Sequence, residues 1–265
     1  MSGDEVFVLI ASAIVSLIAW GRWYWRVGSV HALVAAPGRR AGLLLVPIAC
    51  CLLLFVLLKL FAAEDVRDSA QYLLMYTLFG MAWLGLSAAL LPLLGVSFRD
   101  DAVERRNPAA SMVVQGALVG IMLSFAGGNL GNGPGWWVVL FSSGLATGGL
   151  LLLWFVLKSL SPLADWITID RDLASGWRLA GFLVAVGLIL GRAAAGDWVS
   201  AGATLRDFFA SGWFALLLLP LAAVADYLLR PTPEQPRPPA IVSGVFPALI
   251  YVSAAAAYVV LQGRW

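Results

Sequence analysis

The chain offers few groups with which to do chemistry. Its only histidine, His31, sits in a basic stretch, and its two cysteines, Cys50 and Cys51, are neighbours. One histidine cannot supply haem bis-ligation, a histidine metal site or a Ser-His-Asp triad in the usual form. Adjacent residues on a helix point about 100° apart, so a mutual disulfide would be strained, and both cysteines fit better as small core fillers. The remaining acid-base material is two carboxylate clusters, Asp100, Asp101 and Glu104 in one and Asp165, Asp170 and Asp172 in the other. Both lie among arginines (Arg105, Arg106, Arg171), where solvated and locally neutralised charge accounts for them without catalysis. The glycine-rich segment GGNLGNGPGWW, residues 127-137, lacks the Gly-Lys-Ser/Thr ending of a phosphate loop and reads as a tight turn. No enzymatic activity, cofactor or metal site is expected.

The elements that hold these groups belong to a membrane protein. The composition is 61% hydrophobic and 12% charged, where a soluble domain is roughly half apolar and about a quarter charged. A bilayer-spanning helix needs about 20 mostly apolar residues. Such runs occur near 6-21, 41-60, 71-95, 111-128, 136-157, 177-195, 208-229 and 240-262. The expected fold is therefore all-α, a polytopic helical membrane protein of about eight transmembrane helices, with seven as the alternative count.

The first run is expected to be a retained helix. It begins with Asp4 and Glu5, not with the cationic start of a secretory signal, and runs into WGRWYWR, whose Trp20, Trp23, Tyr24 and Trp25 suit an interfacial belt. Trp136 and Trp137 suit the same belt at the start of the fifth run.

Twelve of the seventeen Lys and Arg residues fall in alternate loops: Arg22, Arg26, Arg39 and Arg40, then Arg99, Arg105 and Arg106, then Lys158, Arg171 and Arg178, then Arg230 and Arg237. The excess marks the cytoplasmic side. Both termini are expected to be non-cytoplasmic, and the net charge of +2 calls for no nucleic-acid partner. A stiff, proline-rich linker is expected at RPTPEQPRPPA, 230-240.

Polar-to-apolar junctions recur. Sliding 97-126 over 162-191, an offset of 65, pairs Asp100 with Asp165, Arg106 with Arg171, Asn107 with Asp172, Ala109 with Ala174, Gly116 with Gly181 and Leu123 with Leu188. The offset covers two helices, so the copies share one orientation and form a parallel internal repeat. Within a single transmembrane domain, 1-265, the copies are 74-131 and 139-196, with accessory helices in 1-63 and 206-265. Asn107 and Asp172 are expected to cap equivalent helices. Small residues at helical spacing, Gly116 with Gly120, Gly144 with Gly148 and Gly187 with Gly191, together with Gly181, are expected to form packing faces, because packing drives helix association in lipid.

The first junction, AVERRNPAASMVVQGALVGIML, resembles the hallmark of the YjfL-like membrane family, a hydrophobic-x-x-Gly-Asn-x-Ala-Ala junction leading into a helix with spaced glycines. Val103, Asn107, Ala109, Ala110, Gly116 and Gly120 fill those positions, and Ile169, Asp172, Ala174, Gly176 and Gly181 match more loosely. Arg106 stands where that family usually has Gly, Pro108 intrudes, and Asp172 replaces Asn. The resemblance covers about residues 74-195 and implies a bacterial multi-pass inner-membrane protein of unknown activity, a companion of membrane-stress systems.

Two functions follow as expectations. One is a non-enzymatic anchor or scaffold in an envelope-stress-type system, with the lipid bilayer, a cytoplasmic protein and a second copy of the chain as partners. The other is a small-solute or ion pathway between the repeated pairs, with Arg106, Asn107, Arg171 and Asp172 at its mouth and Gln115 and Arg192 deeper. Lys59 and Asp226, near the ends of their spans, are expected to snorkel.

Overall fold

A computed structural model describes residues 1–29, 41–232, 234 and 239–263. His31, Arg39, Arg40, Arg237 and Arg264, and the middle of the proline-rich segment, lie outside them.

The described residues are helical, without strands: α1 Gly3–Ser29, α2 Ala41–Phe61, α3 Glu64–Arg67, α4 Ala70–Ala88, α5 Pro108–Gly127, α6 Trp136–Leu160, α7 Leu163–Thr168, α8 Leu173–Ala194, α9 Ala201–Gly212, α10 Phe214–Leu228 and α11 Phe246–Leu261. A 3-10 turn, Leu91–Leu94, and a π-helical turn, Phe98–Glu104, join α4 to α5, and a second π-helical turn, Ile241–Val245, leads into α11. Among the described residues six helices are long and apolar enough to cross a bilayer, seven if α9 and α10, bent by 42°, count as one broken span. The eighth expected span is α4. It stops at Ala88, and Gln71, Tyr72, Tyr76 and Thr77 lower its apolar character. The bend between α9 and α10 falls at Trp213, while Pro220 sits inside α10.

The centre of the bundle is α5 and α8, each with 78% of its span buried, against 22% in α1 and 28% in α2. A helix buried nearly all round must be small or apolar on most of its faces; α8 departs from this at Arg178, which is buried with a partner. The outer helices turn large side chains such as Phe7, Leu17, Leu52 and Leu261 outward, where lipid and not water is their natural neighbour.

Three of the four belt aromatics of WGRWYWR face inward instead. Trp20 Nε1 donates to the Met81 carbonyl (3.0 Å), Trp23 Nε1 to that of Leu43 (2.9 Å) and Tyr24 to that of Leu44 (3.2 Å), while the Trp23 ring stacks on Phe98. Their polar tips are spent on neighbouring backbone, so they bind α1 to α2 and α4. Trp25 alone is exposed.

Candidate functional site

At both junctions the backbone makes the same turn. Arg106 (φ 52°) and Arg171 (φ 57°) are the only non-glycine residues with positive φ among the described residues. The next amide donates back across the turn, Asn107 to the Asp101 carbonyl (3.0 Å) and Asp172 to that of Trp166 (2.9 Å). Asn107 Oδ1 then accepts from the amides of Ala109 and Ala110, and the Asp172 carboxylate from those of Ala174 and Ser175. The first amides of a helix have no partner within it, and near a bilayer an unmet amide is expensive, so each cap satisfies what α5 or α8 leaves open. Pro108, at the first helical position, costs nothing there.

The two caps differ in what else they touch. Asn107 Nδ2 donates to the Ile167 carbonyl (2.6 Å), tying the start of α5 to α7. Asp172 Oδ2 instead accepts from Ser175 Oγ (2.6 Å), and Ser175 Oγ accepts in turn from Arg178 Nη2 (2.9 Å). Arg178 Nε donates to Asp226 Oδ1 (2.7 Å) and its Nη1 to the Ser243 carbonyl.

This cluster corrects two expectations. Arg178 is not a loop residue and Asp226 does not snorkel; they are 1% and 2% exposed and join α8 to α10. The apolar run at 177-195 hid the true start of α8 five residues earlier, at its Asp172 cap, and so put Arg178 at the edge of the span. The usable signal was a pair of opposite charges in two apolar helices, since buried charges persist only when paired.

Between α5 and α8 the backbones touch. A Cβ on Gly116 would lie 2.5 Å from Ala180 Cα, one on Gly120 would strike the Leu183 carbonyl, and those on Gly127 and Gly187 would strike the carbonyls of Gly191 and Gly120. The same kind of contact recurs one helix further on, where a Cβ on Gly181 would lie 2.5 Å from Ala248 Cα. A Cβ on Gly144 would meet only the Trp83 ring, at 3.8 Å, and one on Gly148 nothing within 4 Å. Their face of α6 points away from α8, and it is at Gly149 that an added Cβ would meet Leu190, at 3.0 Å.

The remaining site residues are scattered. Gln115 bonds back to Ser111 in its own helix and abuts Gly42 of α2. Arg192 is in the last turn of α8, at the opposite end from the caps, and lines an open cleft with Glu64, Asp65 and Asp197. The polar groups therefore gather at two ends, with close-packed backbone between them.

At the far end the glycine-rich turn is a clamp. Asp197 Oδ1 accepts from the backbone and side-chain amides of Asn132 (2.6 and 2.9 Å), and the Gly196 amide donates to the Leu130 carbonyl (2.7 Å). Gly131 and Gly135 both have positive φ, which glycine takes without steric cost. In the first carboxylate cluster Arg99 pairs with Glu104 (2.8 Å) and Arg105 with Asp101 (3.1 Å). Among the described residues no three His, Cys, Asp or Glu side chains gather as metal ligands.

A family profile described as Domain of Unknown Function (DUF350) matches residues 61–193, half of the chain, taking in α4 to α8 and both junctions. No curated protein matches the chain, and no solved structure does.

Proposed function

The chain belongs to the DUF350 family, a family of unknown function, and we propose that it acts as a static, non-enzymatic membrane anchor or scaffold. One observation carries this reading: α5 and α8, the helices between which a pathway was expected, meet backbone to backbone at Gly116, Gly120, Gly127, Gly187 and Gly191. Such an approach is how helices associate in lipid, and it leaves no space for a solute.

The scaffold is a parallel repeat of helix pairs, α4 with α5 and α6 with α8. The matching caps and the paired positive φ of Arg106 and Arg171 support it. The repeat extends further than the sequence suggested. Gly116 against Ala180 and Gly176 against Ala109, between α5 and α8, recur as Gly181 against Ala248 and Gly244 against Ala174, between α8 and the segment leading into α11. These contacts support reading residues 201–261, expected as accessory helices, as a third copy. The charged junctions face the cytoplasm of a bacterial inner membrane, both termini face away from it, and the junction face recruits a protein partner in an envelope-stress-type system, the association that the YjfL-like resemblance carries.

Flux through reconstituted vesicles tests the scaffold. Leakage of ions and small solutes should match protein-free vesicles; saturable flux carried by the folded protein would overturn the scaffold and favour a pathway.

A further inference from the structure

Opposite the junctions, the starts of α1 and α4, the glycine-rich turn and the first turns of α6 line a partly open cavity of about 160 Å³. Three of its lining residues are polar and almost wholly buried: Tyr76 is 6% exposed, Asn129 7% and Ser142 3%. Asn129 donates its amide to the Phe125 carbonyl (2.7 Å), which leaves Oδ1 buried without a partner. The hydroxyls of Tyr76 and Ser142 make no hydrogen bond among the described residues. Glu5 also lines it, its Oε2 accepting from Tyr72 (3.0 Å) and from the Ser2 amide (2.7 Å), as does Asp65. No lysine, arginine or histidine lines the cavity.

This inventory selects the guest by charge. A carboxylate and an amide oxygen can only accept. Tyr72 spends its proton on Glu5 and keeps lone pairs, and the hydroxyls of Tyr76 and Ser142 can turn theirs inward. An anion would meet the carboxylates of Glu5 and Asp65 with no lysine, arginine or histidine of the described residues lining the cavity to offset them. An apolar guest would leave buried acceptors unmet, which is costly. Hard cations take such oxygen sets, mixing carboxylate, carbonyl and water. The volume has room for an ion that keeps part of its water shell. We propose that this cavity binds a small inorganic cation through Glu5, Tyr76 and Ser142, with water completing its shell. The site is separate from the α5–α8 interface, so it stands whether or not the scaffold reading does.

The test is thermal unfolding of the full-length protein in neutral detergent, titrated with NaCl, KCl, MgCl2 or CaCl2 against choline chloride at matched ionic strength. At least one cation should raise the midpoint saturably. Losing a direct ligand should cost at least the roughly tenfold typical of outer-shell changes, so Glu5→Gln and Ser142→Ala should shift the half-saturating concentration by about tenfold or more, while Asp207→Asn on α9 should not. Ser142→Ala loses no internal hydrogen bond, so its cation-free midpoint should match wild type, which separates lost binding from lost folding. No response to any of the four salts, or a response that both variants keep unchanged, would overturn the proposal.

Discussion

The junctions at 105–110 and 170–175 share a backbone and part company in their side chains. Both turn through a left-handed arginine and cap the next helix with a short polar residue. At the first, the cap is neutral and its spare amide donates to the Ile167 carbonyl, a bond that an aspartate could not make. At the second, the cap is a carboxylate that reaches Arg178 through Ser175, and so belongs to a buried network with Asp226. Sixty-five residues before Arg178 the chain has Val113, fully buried. The turn therefore depends on conformation and capping, which either residue supplies. Charge is an addition at the second junction, and it fixes α8 to α10.

The largest break in this comparison is at the added charge. Arg178→Met or Asp226→Leu alone strands one buried charge and should lower stability by about 3–5 kcal/mol, while the double variant, with apolar side chains on both sides, should recover most of the loss. Thermal melts in detergent decide this; a double variant as unstable as the single ones would show that the network does more than neutralise itself.

Exchanging the caps has a smaller and unequal effect. Asn107→Asp keeps the cap but loses the bond to Ile167 and sets a charge against its carbonyl, at a cost of about 1–3 kcal/mol. Asp172→Asn keeps an acceptor for the α8 amides and should cost less, about 1 kcal/mol. Equal losses, read as unfolding midpoints, would remove the distinction between the junctions.

The smallest effect should be a gain. A left-handed residue other than glycine costs roughly 1–2 kcal/mol, and glycine returns part of that through the entropy of the unfolded chain. Arg106→Gly and Arg171→Gly should each stabilise by about 0.5–1 kcal/mol. A loss at either position would mean that the arginine side chain has a structural partner that outweighs its strain.

Local pattern carried the reading as far as local physics determines structure. Apolar runs located the helices because each span must meet its own lipid, and the Asn107 and Asp172 caps were legible because capping is decided within four residues. What escaped depends on distant neighbours. Nothing near Arg178 announces Asp226, 48 residues away, and nothing in the spacing of Gly144 and Gly148 tells which face of α6 meets α8. Trp20 and Trp23 have an interfacial composition, but carbonyls on α4 and α2 were within reach. Arg106 is the instructive case: its departure from the glycine of the YjfL-like pattern was visible in sequence, while the positive φ that makes glycine suitable there was not.

The central claim is that α5 and α8 meet in dry contact. Ser124 lies in that interface, fully buried, with its hydroxyl bonded to the Gly120 carbonyl, and Ser124→Cys is nearly isosteric. With Cys50 and Cys51 changed to Ala, this cysteine should resist a small water-soluble thiol reagent in intact vesicles, while a cysteine placed at Val199, 78% exposed, reacts fully. Labelling of Ser124→Cys at a rate comparable to the Val199→Cys control would show water between α5 and α8 and contradict the account.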